Sequence, residues 1–379
     1  MILINFKYIF ITKRLICFLL VCFCLINTKA QVNLFNELKP NTFKLFVAGE
    51  CHLKKDYTQI YDVIMQLYQK QGVRRVVLEL PVEHQLNAND FLLDSIEQQN
   101  KIYLNKYSIN KEEDYYIFMN KLRIFNTKIK EDSNKIQVVF PDITSVLYNG
   151  LQKIGYFKQK GETENQTIIK LLSKIKDIKL FFTRSNISKK RVKRIRQLKS
   201  LLDSYPLDFK NLYLDDYQNV SYQINLLYKT QQVYLKYNGN FPDSVRERFV
   251  YEHIYNSYKA NPNVNYFAEY GGVHTIINYD VRKSTGNFYN LDNSMTSLLN
   301  SPNELKGKIY NMLFYYNKVD AKTSACAGTI DIDDKPVFSD KELQKYSNLN
   351  NSKYLYIPVT ELERAEELKK HIKMIIFVN

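Results

Sequence analysis

Three short stretches of this chain gather residues able to move protons. They are Gly49-Glu50-Cys51-His52, Glu79 with the following Leu80-Pro81, and Gly271-Gly272-Val273-His274. A neutral imidazole accepts a proton from water near neutral pH, and a carboxylate beside it fixes the tautomer and stabilises the imidazolium. Two His with two Glu equally suit a divalent metal that acidifies bound water. The chain has only five His, and two of them, His52 and His274, stand three residues after a glycine that follows an apolar run. That shared context predicts one polar site holding Glu50, His52, Glu79 and His274, with water activation as its chemistry. Glycine before each His suits a sharp backbone turn and leaves room for a substrate.

Positioning these residues requires strands that end beside one another. Phe43 to Ala48 reads as a buried strand leading into Gly49. Asp56 to Gln71 carries Ile60, Val63, Ile64, Leu67 and Tyr68 at helical spacing, with Gly72 as its stop. Arg75 to Leu80 reads as the next strand, closed by Pro81, and Glu112 to Lys130 as a helix. Ile136 to Phe140 then reads as a strand closed by Pro141-Asp142. Asp243 to Ala260 reads as a helix, followed by a strand at Val264 to Glu269. Further strands are expected at Lys308 to Tyr316, Tyr354 to Val359 and Met374 to Val378, with Glu361 to His371 helical. Strand alternating with helix implies an α/β fold, a mostly parallel central sheet flanked by helices. In such sheets ligand sites gather beyond the carboxyl ends of the strands, where Glu50, His52, Glu79 and His274 would sit. Asp142 follows the third strand and could join them. Arg246, on the helix leading into the His274 strand, is placed to meet an anionic group or a site carboxylate, on one helical face with Val250 and His253.

Between about 160 and 240 the pattern is helical only, which predicts a helical insertion or cap within a single domain spanning 31–379. Its run Lys189-Lys190-Arg191-Val192-Lys193-Arg194-Ile195-Arg196 lies over an apolar stripe of Val192, Ile195, Leu198 and Leu202, the signature of a solvated face on an amphipathic helix. His84 and His371 read as surface residues, His371 on a charged helix.

The first thirty residues differ from the rest. Lys13-Arg14 precede the apolar run Leu15 to Ile26, and Thr28-Lys29-Ala30 has the small-x-small form of a cleavage site. Residues 1–30 are therefore expected to be a cleaved signal peptide, giving a periplasmic or secreted protein without a stable membrane anchor. Cleavage would remove Lys7, Lys13, Arg14 and Lys29 and lower the net charge from +15 to +11. That balance favours acidic surfaces or anionic glycans, and export argues against nucleic acid as a partner. Only Cys51 and Cys326 would remain, which excludes a disulfide framework but leaves a single bridge open. Cys51 beside His52 does not make a nucleophile–base pair, because adjacent residues after a strand point apart; a small buried packing residue is the simpler reading.

Several of these residues resemble a known superfamily: the erythromycin esterases, the ChaN-type haem-binding lipoproteins and the TraB-type proteases. Gly49-Glu50-Cys51-His52 looks like their first Gly-Glu-x-His turn, and Arg75 to Pro81 like the strand that follows. Arg246 to His253 is similar to the esterases' arginine-bearing helix, and Gly271 to His274 occupies the place of their final His motif. The resemblance implies that His52 is the base activating water, Glu50 and Glu79 its polar partners, Arg246 the substrate-orienting group and His274 the residue completing the site. It implies an exported hydrolase of ester, lactone or amide bonds acting on a small molecule or peptide. The ChaN-type branch implies the alternative, a ligand- or haem-binding protein without turnover. The esterases work without metal and the Wnt-trimming TraB-type branch requires one, so the cofactor is either none or one divalent ion held by His52, His274 and Glu79. Where the esterases carry His-Asn-x-His, this chain carries a single histidine, His274, which separates it from macrolide hydrolysis.

Overall fold

The computed structural model describes residues 38–50, 57–93, 112–143, 159–176, 189–236, 243–277, 294–316, 335–348 and 354–378, with isolated positions at Phe35, Leu151, Ile154, Phe157 and Ile332. The expected signal peptide, His52, Cys51 and Cys326 lie outside them.

Seven strands form one sheet: β1 (Leu45–Glu50), β2 (Val73–Leu78), β3 (Gln137–Val139), β4 (Asn265–Gly271), β5 (Ile309–Tyr316), β6 (Tyr354–Pro358) and β7 (Met374–Val378). Their order is β3-β2-β4-β1-β5-β7-β6. Every pairing is parallel except β6 with β7, which is antiparallel. The two central strands, β4 and β1, are buried along their whole length, as strands covered on both faces must be. They carry the two Gly-x-x-His motifs, and their register sets Glu50 opposite Gly271. Residues more than two hundred positions apart thus leave the sheet side by side.

Side chains alternate across each strand, and the packing clusters show which face each parity serves. Phe46, Ala48, Val76, Leu78, Phe267, Met312 and Phe314 meet helices α1 (Tyr57–Gln71), α2 (Gln85–Leu93) and α3 (Glu112–Thr127). The stripe Ile60, Val63, Ile64 and Leu67 of α1 is fully covered here, each side chain contributing about 1.5–3 kcal/mol by leaving water. Leu45, Val47, Val77, Tyr266, Ala268 and Tyr270 point to the opposite face. There they meet helix α8 (Asp243–Ala260) and the short α9 (Met295–Leu299).

Among the described residues, the middle of the chain carries helices α4 (Gln166–Lys176), α5 (Lys189–Ser204), α6 (Pro206–Tyr213) and α7 (Tyr217–Lys236). They share a core of their own that includes Ile168, Ile175, Ile195, Leu198, Phe209 and Ile224. A small cluster of Val82, Ile143, Leu226 and Phe249 ties α7 to the ends of β2 and β3 and to α8. After β5 come α10 (Asp340–Asn348) and α11 (Ala365–Leu368), whose Tyr346 and Leu368 cover the β5–β7 region. The expected helix over 361–371 reduces to a 3-10 turn at Val359–Glu361 and the single turn of α11. His371 is not solvated: it is buried, and its Nδ1 lies 2.8 Å from the Ile277 carbonyl. Its backbone carbonyl also accepts from Asn311 Nδ2 at 2.6 Å, so His371 fastens the chain after His274 to the edge of β5. No helix among the described residues is long and apolar enough to cross a membrane.

Candidate active site

Two carboxylates stand just beyond neighbouring strands. Glu79 follows β2 and Asp142 follows β3. A further bridge between Pro81 and Asp142 continues the parallel ladder, with Asp142 N donating to Leu80 O at 3.1 Å and Val82 N to Asp142 O at 3.0 Å. That bridge holds both acids at one level of the sheet edge.

Helix α8 brings Arg246 between them. Its Nε donates to Asp142 Oδ1 at 2.9 Å and its Nη2 to Asp142 Oδ2 at 2.7 Å, a two-pronged grip, while Nη2 also pairs with Glu79 Oε1. Glu79 Oε2 accepts from the backbone N–H of Gly271 at 3.0 Å, which ties the Arg246 cluster to the His274 turn. Burial works against the Arg246 charge. The hydrogen bonds and charges of Asp142 and Glu79 outweigh it and hold the pKa above the ordinary guanidinium range. Nη1 of this half-buried side chain has no hydrogen-bond partner among the described residues, so two N–H donors remain for another molecule.

One residue further along α8, Glu247 is 2 % exposed and lies 2.6 Å from His274 Nδ1 through its Oε1. Its other oxygen accepts from the backbone N–H of Met295, at the start of α9. Thr296 Oγ1 donates to the His274 carbonyl at 2.8 Å and so fixes the turn from the same side. Burial alone would lower the His274 pKa. The charge and hydrogen bond of Glu247, with a smaller contribution from Glu79, reverse the balance, and the pKa is raised. Glu247 Oε1 stands against Nδ1, and Nε2 is the ring nitrogen without that carboxylate contact.

Tyr270 completes the group. Its ring lies edge-on to His274 at 6.2 Å, and its buried hydroxyl has no hydrogen-bond partner among the described residues. Burial, reinforced by Asp142 and Glu79, pushes its pKa well above the usual phenol value, so the hydroxyl keeps its proton.

Glycine at position 49 has a specific steric cause. A Cβ there would stand 2.3 Å from Thr275 Oγ1 and 2.9 Å from the Gly272 Cα. The β1 end and the His274 turn are therefore in backbone contact. Gly271 itself has φ −53° and ψ 140°, which any residue can adopt, so at this end the glycine is not needed for a sharp turn.

Of the residues expected in one site, Glu79, Arg246 and His274 meet, with Asp142 among them. Glu50 does not share their side of the sheet. The alternation of β1 puts it with Phe46 and Ala48, on the face of α1 and α3, where the buried Glu269 of β4 lies in the field of Tyr115. His52, two residues beyond Glu50, falls outside the described residues. His84 is half-buried in the 3-10 turn Val82–His84. His253 turns away from the cluster, its Nδ1 2.8 Å from the Phe249 carbonyl and its ring over Phe249; burial lowers its pKa. Glu247 and Tyr270 were not expected. Glu247 carried a readable signal, because Glu247, Val250, Ile254 and Tyr258 form one stripe of α8 whose other three members are core. A carboxylate in such a stripe must be paired.

The donor set gives limited support to a metal. Both Glu79 oxygens are engaged, by Arg246 and by Gly271 N, so the carboxylate could ligate a cation only by releasing one of them. Among the described residues no three His, Cys, Asp or Glu side chains gather in a metal-binding arrangement.

No protein-family model matches the chain, and no curated protein matches it in sequence. Solved structures do match in fold. A histidine-to-asparagine mutant of the erythromycin esterase EreC, in its open conformation, is 12% identical over 92% of each chain, with a TM-score of 0.55. A Bacillus cereus protein is 12% identical over 89% of this chain and 88% of its own, with a TM-score of 0.58. A succinoglycan biosynthesis protein is 10% identical over the same shares, with a TM-score of 0.57. With matches that cover about nine-tenths of the chain and place its sheet in theirs, this protein has the erythromycin esterase-like α/β fold.

Proposed function

We propose that this protein is an exported hydrolase that cleaves an ester, lactone or amide bond. The observation that carries the reading is the buried Glu247–His274 pair beside an arginine, Arg246, whose Nη1 has no partner among the described residues, beyond the ends of parallel strands. The fold shared with an erythromycin esterase supports it.

The chemistry divides between the two histidines. His274 has the raised pKa, which favours its protonated form, so it suits protonation of the leaving oxygen or nitrogen through Nε2. His52 takes the complementary role, accepting a proton from the attacking water. Arg246 Nη1 donates to the carbonyl oxygen as negative charge develops there, while Glu79 and Asp142 fix the guanidinium in place. One water is consumed, one acid and one alcohol or amine are released, and the proton count closes between His52 and His274. A divalent metal bound by His52, His274 and Glu79 would instead polarise the carbonyl and acidify the water; that arrangement would ask Glu79 to release either Arg246 or the Gly271 N–H.

The second reading is a binding protein on the same scaffold. In its favour, Arg246 already occupies both strand-end carboxylates, which suits a static polar floor. Proton release from a panel of esters, lactones and amides separates the two, with metal content measured on the same preparation. Turnover that falls about 10²–10⁴-fold in His52→Ala, with an unchanged melting temperature, is the expected result. A panel without turnover, or full activity in His52→Ala, refutes the hydrolytic assignment.

A further inference from the structure

We propose that the groove between α4 and α5 is a second binding site, one that takes a linear anionic polysaccharide. It encloses about 1070 Å³ and is lined by five cations: Lys170 and Lys174 from α4, and Lys193, Arg194 and Arg196 from α5. Among the described residues no carboxylate lines it. None of the five cations has an ion-pair partner among the described residues, whereas the neighbouring Lys199 is neutralised by Asp203 on its own helix. Like charges held together without counterions repel one another, and a polyanion is the ligand that relieves this.

Sequence periodicity reads the α5 cations as a solvated face. The structure shows why that is incomplete. Ile195, Leu198 and Leu202 anchor α5 in the helical core, and this rotation turns Lys193, Arg194 and Arg196 toward α4, whose own cations face back. Lys170 and Lys174 are one helical turn apart, as are Lys193 and Arg196, so each wall repeats a charge about every 5–6 Å. That is near the length of one sugar ring along an extended chain.

The remaining lining selects among polyanions. Gln166, Thr167, Gln197 and Ser200 offer amides and hydroxyls suited to sugar hydroxyl groups, and the two arginines can grip carboxylates with paired N–H donors. Nucleic-acid grooves add aromatic platforms for base stacking, and among the described residues no aromatic side chain lines this one. A membrane-binding face projects apolar side chains beyond its cations. Here the apolar lining residues among those described are Leu171 and Leu201, both packed into the helical core. A uronic-acid polymer fits best. The inference is independent of hydrolysis at the strand ends.

The test uses the full chain and a fluorescently labelled oligogalacturonate, followed by anisotropy across a salt series. Lys170→Gln/Lys174→Gln/Lys193→Gln/Arg196→Gln removes four exposed charges without touching the core. The control, Lys39→Gln/Lys128→Gln/Lys306→Gln/Lys341→Gln, removes four exposed charges elsewhere. The proposal expects salt-sensitive binding that weakens at least about tenfold in the groove variant and little in the control. It is overturned if both variants lose equally or if the wild type does not bind at low salt. It is also overturned if the groove variant loses more affinity for duplex DNA or phosphatidylglycerol vesicles than for the oligogalacturonate.

Discussion

Replacing Arg246 by Met tests whether the strand-end cluster is a true charge-balanced unit. The substitution keeps the aliphatic length and removes the guanidinium. Glu79 and Asp142 are then left facing each other, with side chains only 9% and 13% exposed. Removing one partner of a buried ion pair costs about 3–5 kcal/mol, and the 24% exposure of Arg246 brings the expectation to the lower end, about 3 kcal/mol. For a chain of 379 residues, with an unfolding entropy of about 2.1 cal/mol/K per residue, that corresponds to a Tm drop of roughly 4 °C. Urea unfolding followed by circular dichroism measures the loss directly. Adding Glu79→Gln and Asp142→Asn should recover more than half of the loss at neutral pH. A cost below about 1 kcal/mol, or no rescue by the added Glu79→Gln and Asp142→Asn, would refute the assignment of Arg246 as the counterion of both acids.

The remaining predictions follow from single contacts. Glu247→Gln removes the carboxylate that raises the His274 pKa, so burial then lowers it; an NMR titration of the imidazole reads the reversal, and an unmoved pKa counts against the pair. Because the folded His274 pKa is raised, the pair's stabilisation is full below the ordinary imidazole value of about 6.5 and is lost as pH rises through the folded value. The wild-type advantage over Glu247→Gln should shrink in that direction. Gly49→Ala drives a Cβ into Thr275 Oγ1 and the Gly272 Cα and should cost about 1–3 kcal/mol in urea unfolding. Adding Thr275→Ala relieves only the first clash, so full recovery would show that the Gly272 approach is not limiting. Tyr270→Phe deletes a buried hydroxyl without a partner among the described residues and should leave stability within about 1 kcal/mol of the wild type; a larger loss would reveal a partner for that hydroxyl.

The sheet was legible because its strands are short apolar runs, several of them closed by glycine or proline. Val73–Leu78 ahead of Pro81 and Tyr354–Pro358 show it plainly, and helix α8 matches its expected ends because Asn261-Pro262 stops it. The C-terminal segment was not legible. Glu361 to His371 has helical composition, but Leu362, Leu368 and Ile372 are drawn into the core beside β7, and packing leaves only one helical turn. The same limit explains the site. Spacing after a strand locates a residue at the sheet edge but does not say which face it takes. Glu50 and Glu79 were grouped because each follows the same kind of apolar run. Yet Glu50 continues the parity of Phe46 and Ala48, while Glu79 continues that of Val77 and meets Arg246. Parity becomes informative only once each face has a known helix, and α8 supplies that knowledge through Glu247. As the charged member of an otherwise apolar stripe, Glu247 required a buried cationic partner, and His274 was the histidine placed to be one. The helix before the strand, more than the glycines around the histidine, therefore determines where the buried carboxylate–histidine pair lies.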